Sequence, residues 1–195
     1  MKTRPYPPHR AGGFTLVELL VVISIIVVLA GMTLTAVSIA ATKKRVLQTQ
    51  TNATSLLQAI QGFYDTYHRL PDIGAPGDES RLEGQSGSEL LLILLGKEEL
   101  NNTTQNKKQI IFLNAQETTM KNRGGLLFSN GGAGATPVGL YDAWGNALYV
   151  KFDIEGDEQI EDPVKPGGIV RNKVAIVYSA GSDGKLGTKD DIKTW

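Results

Sequence analysis

Cysteine is absent from the 195 residues, which removes disulfide frameworks, thiolate zinc sites and cysteine nucleophiles together. The absence is compatible with either redox compartment and says nothing about location. Histidine is scarce, with only His9 and His68. That is a poor basis for a zinc enzyme, and Ser–His–Asp chemistry would have to rest on His68 alone. Net charge is lacking too: twenty basic residues balance twenty acidic ones, so nothing draws the chain as a whole toward nucleic acid or an anionic surface. No glycine-rich nucleotide-binding pattern follows a strand. Aromatics are few while glycine reaches 22, which points to turns and loops over a dense core.

What is present is unevenly placed. Residues 1–13, MKTRPYPPHRAGG, carry Lys2, Arg4 and Arg10, three prolines and no acid. From Phe14 to Thr42 the only charge is Glu18, and Leu19–Ala41 is 23 uncharged residues, enough for a helix to cross a hydrocarbon core of roughly 30 Å. An ordinary secretory signal has a shorter apolar run with its cleavage site at the far end. Here the small residues Gly12 and Gly13 precede the run, so the segment reads as a membrane span. Basic residues stand on both sides, with Lys43, Lys44 and Arg45 following, so charge counting leaves orientation tied. Glu18 is the anomaly, since a carboxylate in a membrane helix costs a few kcal/mol unless it finds a partner. It either snorkels to the interface or meets a cation, and the nearest would be a new α-amino group at Phe14.

The run GGFTLVELLVV resembles the prepilin cleavage and methylation motif of type IV pilins and type II secretion pseudopilins. The resemblance implies that a prepilin peptidase cuts between Gly13 and Phe14 and methylates the Phe14 amine. Glu18 then becomes the fifth mature residue, the one that pairs with a neighbouring subunit's amine. It also fixes orientation: leader cytoplasmic, remainder periplasmic, on a single-pass inner-membrane protein. Many members of the family carry a kinking proline in the second half of the span. None occurs here between Phe14 and Leu70, leaving Gly31 and the β-branched run MTLTAVSI to permit bending.

Beyond the basic cluster, apolar residues recur at Ala53, Leu56, Ile60, Phe63 and Tyr67, the three-and-four spacing of one helical face. Leu57 and Tyr64 widen it, and Gln48, Gln50, Asn52, Gln58 and Gln61 fall mostly elsewhere. Leu70–Pro71 and then Gly74, Pro76 and Gly77 end the helix. One helix of roughly 80 Å from Phe14 to about His68 is expected, with His68 a surface or capping residue. FYDTYHRLP again resembles the equivalent place in the major pseudopilin. The middle is less legible. Ser88–Glu89 followed by Leu90–Leu95 reads as a short capped helix closed by Gly96, QIIFL at 109–113 and GLLFS at 125–129 as strands, and GGAGA at 131–135 as a loop. Residues 72–140 exceed what the resemblance covers and read as an insertion.

At the C-terminal end, Asp142–Asn146 reads as a turn before the strand ALYVKFD. The acidic run Asp153–Asp162 reads as a solvated hairpin loop, and VAIVYS at 174–179 as a second strand, antiparallel to the first. The DxWGN turn, the YSAGSDGKLGTKDDI loop and the terminal Trp195 resemble the C-terminal half of the major (G-type) pseudopilin. Trp144 and Trp195 read as packing anchors. In that family the last loop binds one calcium ion. Asp183, Asp190 and Asp191 match its acidic ligands, and the Ala180 carbonyl a backbone ligand. The chemistry suits a hard cation that takes about six to eight oxygens, with Gly181, Gly184 and Gly187 supplying backbone freedom. The alternative is a set of Asp–Gly turns with solvated carboxylates.

The expected architecture is therefore α+β and type IV pilin-like, a long N-terminal helix packed on a small C-terminal antiparallel sheet with a calcium-type loop. The divisions are a leader at 1–13, a transmembrane and polymerising segment at 14–42, and a periplasmic domain at 43–195. Within that domain lie the second half of the helix (43–70), the insertion-like segment (72–140) and the hairpin with its Asp-rich loop (141–195). The resemblance implies a non-enzymatic subunit of a type II secretion pseudopilus. Its partners would be copies of itself, minor pseudopilins, the inner-membrane assembly platform and the prepilin peptidase, with no nucleic acid. A surface type IV pilus subunit and a membrane-anchored binding module are the alternatives. Glu18→Ala is expected to leave cleavage at Gly13 intact and to cut filament yield in an assembly assay, because an amine without its carboxylate no longer sets axial register. Wild-type filament yield would contradict that role.

Overall fold

The computed structural model describes residues 13–73, 78–129 and 135–195, with the backbone alone for 32–36. The leader up to Gly12, the stop signals Gly74, Pro76 and Gly77, and most of the 131–135 loop lie outside these residues. Helix α1 is Leu16–Tyr67. It starts two residues later than the apolar run because Thr15 acts as its N-cap. His68 stands just past its end with φ of 52°. The chain forms two units, residues 1–42 and 43–195.

In the first unit, the described side chains from Phe14 to Leu29 are exposed on every side of the helix. A helix that is apolar all round is not built to face water and requires burial in lipid or against other helices. Among the described residues no helix is long and apolar enough to cross a membrane. The span expected for Leu19–Ala41 takes in residues 32–36, whose side chains are not among them.

In the second unit, Ala53, Leu56, Ala59, Ile60 and Phe63 of α1 are buried in the main core, with Leu57 and Tyr67 partly buried beside them. The inward face extends further back than hydrophobicity suggests, because Thr49 and Asn52 are also buried. Asn52, expected on the polar face, is turned inward because it continues the same three-and-four spacing.

A four-stranded antiparallel sheet runs β1 (Glu79–Arg81), β5 (Tyr149–Phe152), β8 (Ala175–Ser179), β9 (Ile192–Lys193). Alternation along its strands sends Val150, Phe152, Ala175 and Val177 to the core shared with α1. On the opposite face, Tyr149 stacks on Tyr178 at 5.2 Å, and the Trp195 ring meets Tyr178 edge-on. Ile176 on that face joins Ile160 and Val170 in a second cluster, against which Trp195 packs. Ile160 and Val170 belong to a two-stranded ribbon, β6 (Gln159–Glu161) with β7 (Ile169–Arg171). The acidic run read as a solvated loop thus contains a strand, since Ile160 needs cover that a loop would not give it. The pairing expected between 147–153 and 174–179 is present as β5 against β8, with the ribbon inserted between them in the chain.

The stretch read as an insertion contributes to the same core. Leu82, Leu90, Leu91, Leu94, Leu113, Leu126 and Leu140 are all buried there. Helix α2 is Gly84–Leu94, five residues longer at its start than the Ser88 cap predicts. Ser88 is inside the helix and donates to the Pro137 carbonyl at 2.7 Å, while the N-cap position is Glu83 with no side-chain cap. The helix closes in a Schellman arrangement: Gly96, at φ of 64°, donates to the Ile93 carbonyl and Lys97 to that of Leu92.

QIIFL is not a strand. Phe112 and Leu113 both donate to the Leu94 carbonyl at the end of α2, and the buried Asn106 side chain binds both the N–H and the carbonyl of Ile110. With those groups taken, no ladder is left to form. The neighbouring strand expectation, GLLFS, is met by β3 (Gly125–Phe128), which lies in a sheet with β2 (Glu117–Thr118) and β4 (Pro137–Tyr141), β2 parallel to it and β4 antiparallel. Phe63 is fully buried, 4.8 Å from the Tyr67 ring and 5.7 Å from that of Phe112. Phe63→Ala is expected to lower stability by about 3–5 kcal/mol in urea unfolding. A loss below about 1 kcal/mol would show that the ring is not a core anchor.

Candidate functional site

Two places hold the residues expected to act. At the first, Gly13 and Phe14 are exposed, and a side chain built at Gly13 would meet nothing within 4 Å. The bond between them is accessible. Thr15 and Glu18 close a reciprocal capping box: the Glu18 carboxylate accepts from the Thr15 N–H at 2.9 Å and its hydroxyl at 2.7 Å, and the Glu18 N–H donates to the Thr15 hydroxyl at 3.2 Å. The first residues of a helix have N–H groups with no partner within it, and this pairing satisfies two of them at once. Glu18 thus already has a partner in its own chain. Thr15 was missed as a functional residue, though the signal is plain in the sequence: a Thr, two residues, a Glu, then an apolar run.

The second place is the loop from Ala180 to Asp191. Each expected aspartate is turned to the loop's own donors. Asp190 accepts from the Ser182 N–H at 2.6 Å, the Ser182 hydroxyl at 2.7 Å and the Asp183 N–H at 3.0 Å on one oxygen, and from the Thr188 hydroxyl at 2.6 Å on the other. The Thr188 and Ser182 hydroxyls, then the Asp183 N–H, hold its carboxyl well below the usual carboxylate range. Asp191 accepts from Gly187 and Thr188 N–H at 2.8 and 3.0 Å. Asp183, exposed, accepts from the Lys185 N–H at 2.8 Å. Ala180 is buried. Gly181 has φ of 64°, and a side chain there would run into the Asp190 backbone carbonyl, so both conformation and space require glycine.

Among the described residues no three or more His, Cys, Asp or Glu side chains are gathered to hold a metal ion. Two observations nevertheless fit a hard cation. The donors are all oxygens. The second carboxylate oxygen of Asp191 is buried and has no hydrogen-bond partner, a condition that costs roughly 1–3 kcal/mol or more for a charged group and that a cation would relieve.

Sequence reading missed the anchor beneath this loop. Asp142 is fully buried and accepts from the N–H groups of Trp144, Gly145 and Asn146 at 2.7–2.8 Å. It also accepts from the Asn146 amide at 3.0 Å and the Ser179 hydroxyl at 2.7 Å. An Asp opening a Gly-containing turn is a legible Asx-turn signal. Nothing in the linear sequence ties it to Ser179.

A family model described as the prokaryotic N-terminal methylation motif matches residues 8–41. No curated protein and no solved structure matches the chain. The motif supports a type IV pilin-like filament subunit and implies processing by a prepilin peptidase. The architecture, α+β with a long N-terminal helix and antiparallel sheets behind it, is consistent with a type IV pilin-like fold.

Proposed function

We propose that the chain is a major, G-type-like subunit of a type II secretion pseudopilus, polymerising through its N-terminal helix to help export folded proteins across the outer membrane. The observation that carries this reading is the methylation motif over residues 8–41 at the head of a helix whose described apolar side chains are uncovered. In this reading residues 14–42 anchor the chain in the inner membrane, with its C-terminal domain periplasmic. After cleavage the new Phe14 amine lies beside a Glu18 carboxylate that Thr15 already orients. A neighbour's amine then completes a charge pair whose other registers leave a charge unpaired in an apolar bundle. Minor pseudopilins and the inner-membrane assembly platform are the further partners. The role is structural and needs no catalytic group.

The calcium reading belongs to the same proposal. Asp183, Asp190, Asp191 and the Ala180 carbonyl would hold one ion, and the ion would supply positive charge to the partnerless oxygen of Asp191 and close the loop. The ligand set rests on the resemblance of the YSAGSDGKLGTKDDI stretch, supported by the oxygen donors and that one orphaned atom.

A deletion strain is expected to lose exoprotein secretion while keeping surface pili. Loss of pili with secretion intact would make the chain a type IV pilus subunit instead. Calcium is expected to raise the Tm of the purified protein relative to chelator, since an ion that binds only the folded state stabilises it by about 2.7 kcal/mol at a hundredfold excess over Kd. Asp190→Ala is expected to abolish the rise. Identical melts with and without calcium would remove the ion from the account.

A further inference from the structure

Asp142 bears a charge with no solvent and no cationic partner among its hydrogen bonds. A buried carboxylate is tolerated only when its lone pairs are filled by donors, and here five donors do so. Three of them, the Trp144, Gly145 and Asn146 N–H groups, converge on one oxygen and account for the turn. A turn of that kind needs no second oxygen. The second oxygen instead meets Ser179 and the Asn146 amide, and both of those side chains continue to the same residue. Ser179 accepts from the Gly181 N–H at 3.1 Å, and the Asn146 amide donates to the Gly181 carbonyl at 2.8 Å. Both polar atoms of the Gly181 backbone are thus tied to one carboxylate through one intermediate each. On its other side the turn is pinned to α1, where the Ala143 N–H donates to the buried Thr49 hydroxyl at 3.0 Å.

Gly181 is where the loop departs from β8. Its left-handed conformation brings the next residue, Ser182, to Asp190, and the Ala180 carbonyl shares its peptide group with the Gly181 N–H. We propose that Asp142 is the positioning residue of the 180–191 loop: it fixes the two peptide groups that meet at Gly181, and thereby the arrangement from which the loop takes a divalent cation. The cation part rests on the calcium reading above. The identity of the residue follows from the donors. An Asn at 142 would set its own amide against the Asn146 amide, whereas the carboxylate accepts at every position.

The experiment uses the mature full-length chain in detergent micelles, with amide hydrogen exchange followed in chelator and calcium binding followed by calorimetry with calcium chloride alone. The amides to read are those of Ser182 and Asp183, which donate to Asp190 and touch neither Ser179 nor Asn146. Ser179→Ala and Asn146→Ala are each expected to speed exchange there on the order of tenfold, one hydrogen bond's worth of opening. Exchange in α2 stays at the wild-type rate, and the calcium Kd weakens by a similar factor. Asp142→Asn is expected to do both more strongly. Should it fail to fold, the two milder variants decide. Wild-type exchange at Ser182 and Asp183 in both of them, or faster exchange with an unchanged calcium Kd, overturns the proposal. A wild type that takes up no calcium, while its variants still loosen the loop, overturns the calcium reading and leaves the positioning role standing.

Discussion

Apolar helical surface has to be removed from water, and α1 carries two kinds of it. Over Ala53–Phe63 the apolar residues form one face, and the sheets, α2 and the strand-free segment around Phe112 cover that face with aliphatic and aromatic side chains. Over Phe14–Leu29 they run around the whole helix and are uncovered in the first unit. The hydrophobic effect, worth roughly 25 cal/mol per Å² of apolar area, makes such a surface untenable in solution. In the proposed reading its cover is lipid and other copies of the same helix. Anchorage and polymerisation are then two answers to one constraint, and the methylation motif at residues 8–41 accords with both.

Within the second unit the complementary constraint is that buried polar groups be hydrogen-bonded. Lys151, nearly buried on the sheet face away from α1, lies 3.3 Å from Asp78 and 3.7 Å from Glu161, and the latter pair joins the β6–β7 ribbon to the sheet. Asn106 satisfies the loop that closes α2. Asp142 gathers a turn, the end of β8 and the start of the Asp-rich loop. Each of these groups links separate segments, and Asn106 and Asp142 each fix a loop that would otherwise have no ladder to hold it. Asn52, Tyr141, Tyr178 and Asp191 each keep one buried polar atom without a hydrogen-bond partner, and of these the Asp191 oxygen lies in the loop expected to take an ion.

The parts legible in the sequence were those with local periodicity or a linear motif. Both faces of α1, the β5 and β8 strands, and the N-terminal methylation motif all stood in short contiguous patterns. The parts that were not legible depend on distant partners. QIIFL has strand composition, but Asn106 and the end of α2 claim its backbone. Asn52 has a polar side chain on a buried face. Ser88 looks like a cap, yet its hydroxyl is taken by the Pro137 carbonyl. Residues 72–140, without clear resemblance to anything, supply eight core leucines because tertiary burial, not similarity, decides membership of a core. The 180–191 loop was legible as a set of aspartates, but its anchor was not, since Asp142 and Ser179 meet only in the fold.

The central claim is that this chain is processed at Gly13 and assembled through the helix that begins there. It is tested most directly by intact-mass and N-terminal fragment mass spectrometry of the protein isolated from membranes of its own cells. The account predicts a chain that begins at Phe14 with a methylated α-amine. A chain that retains Met1–Gly13, or that begins downstream of the apolar run, would contradict it.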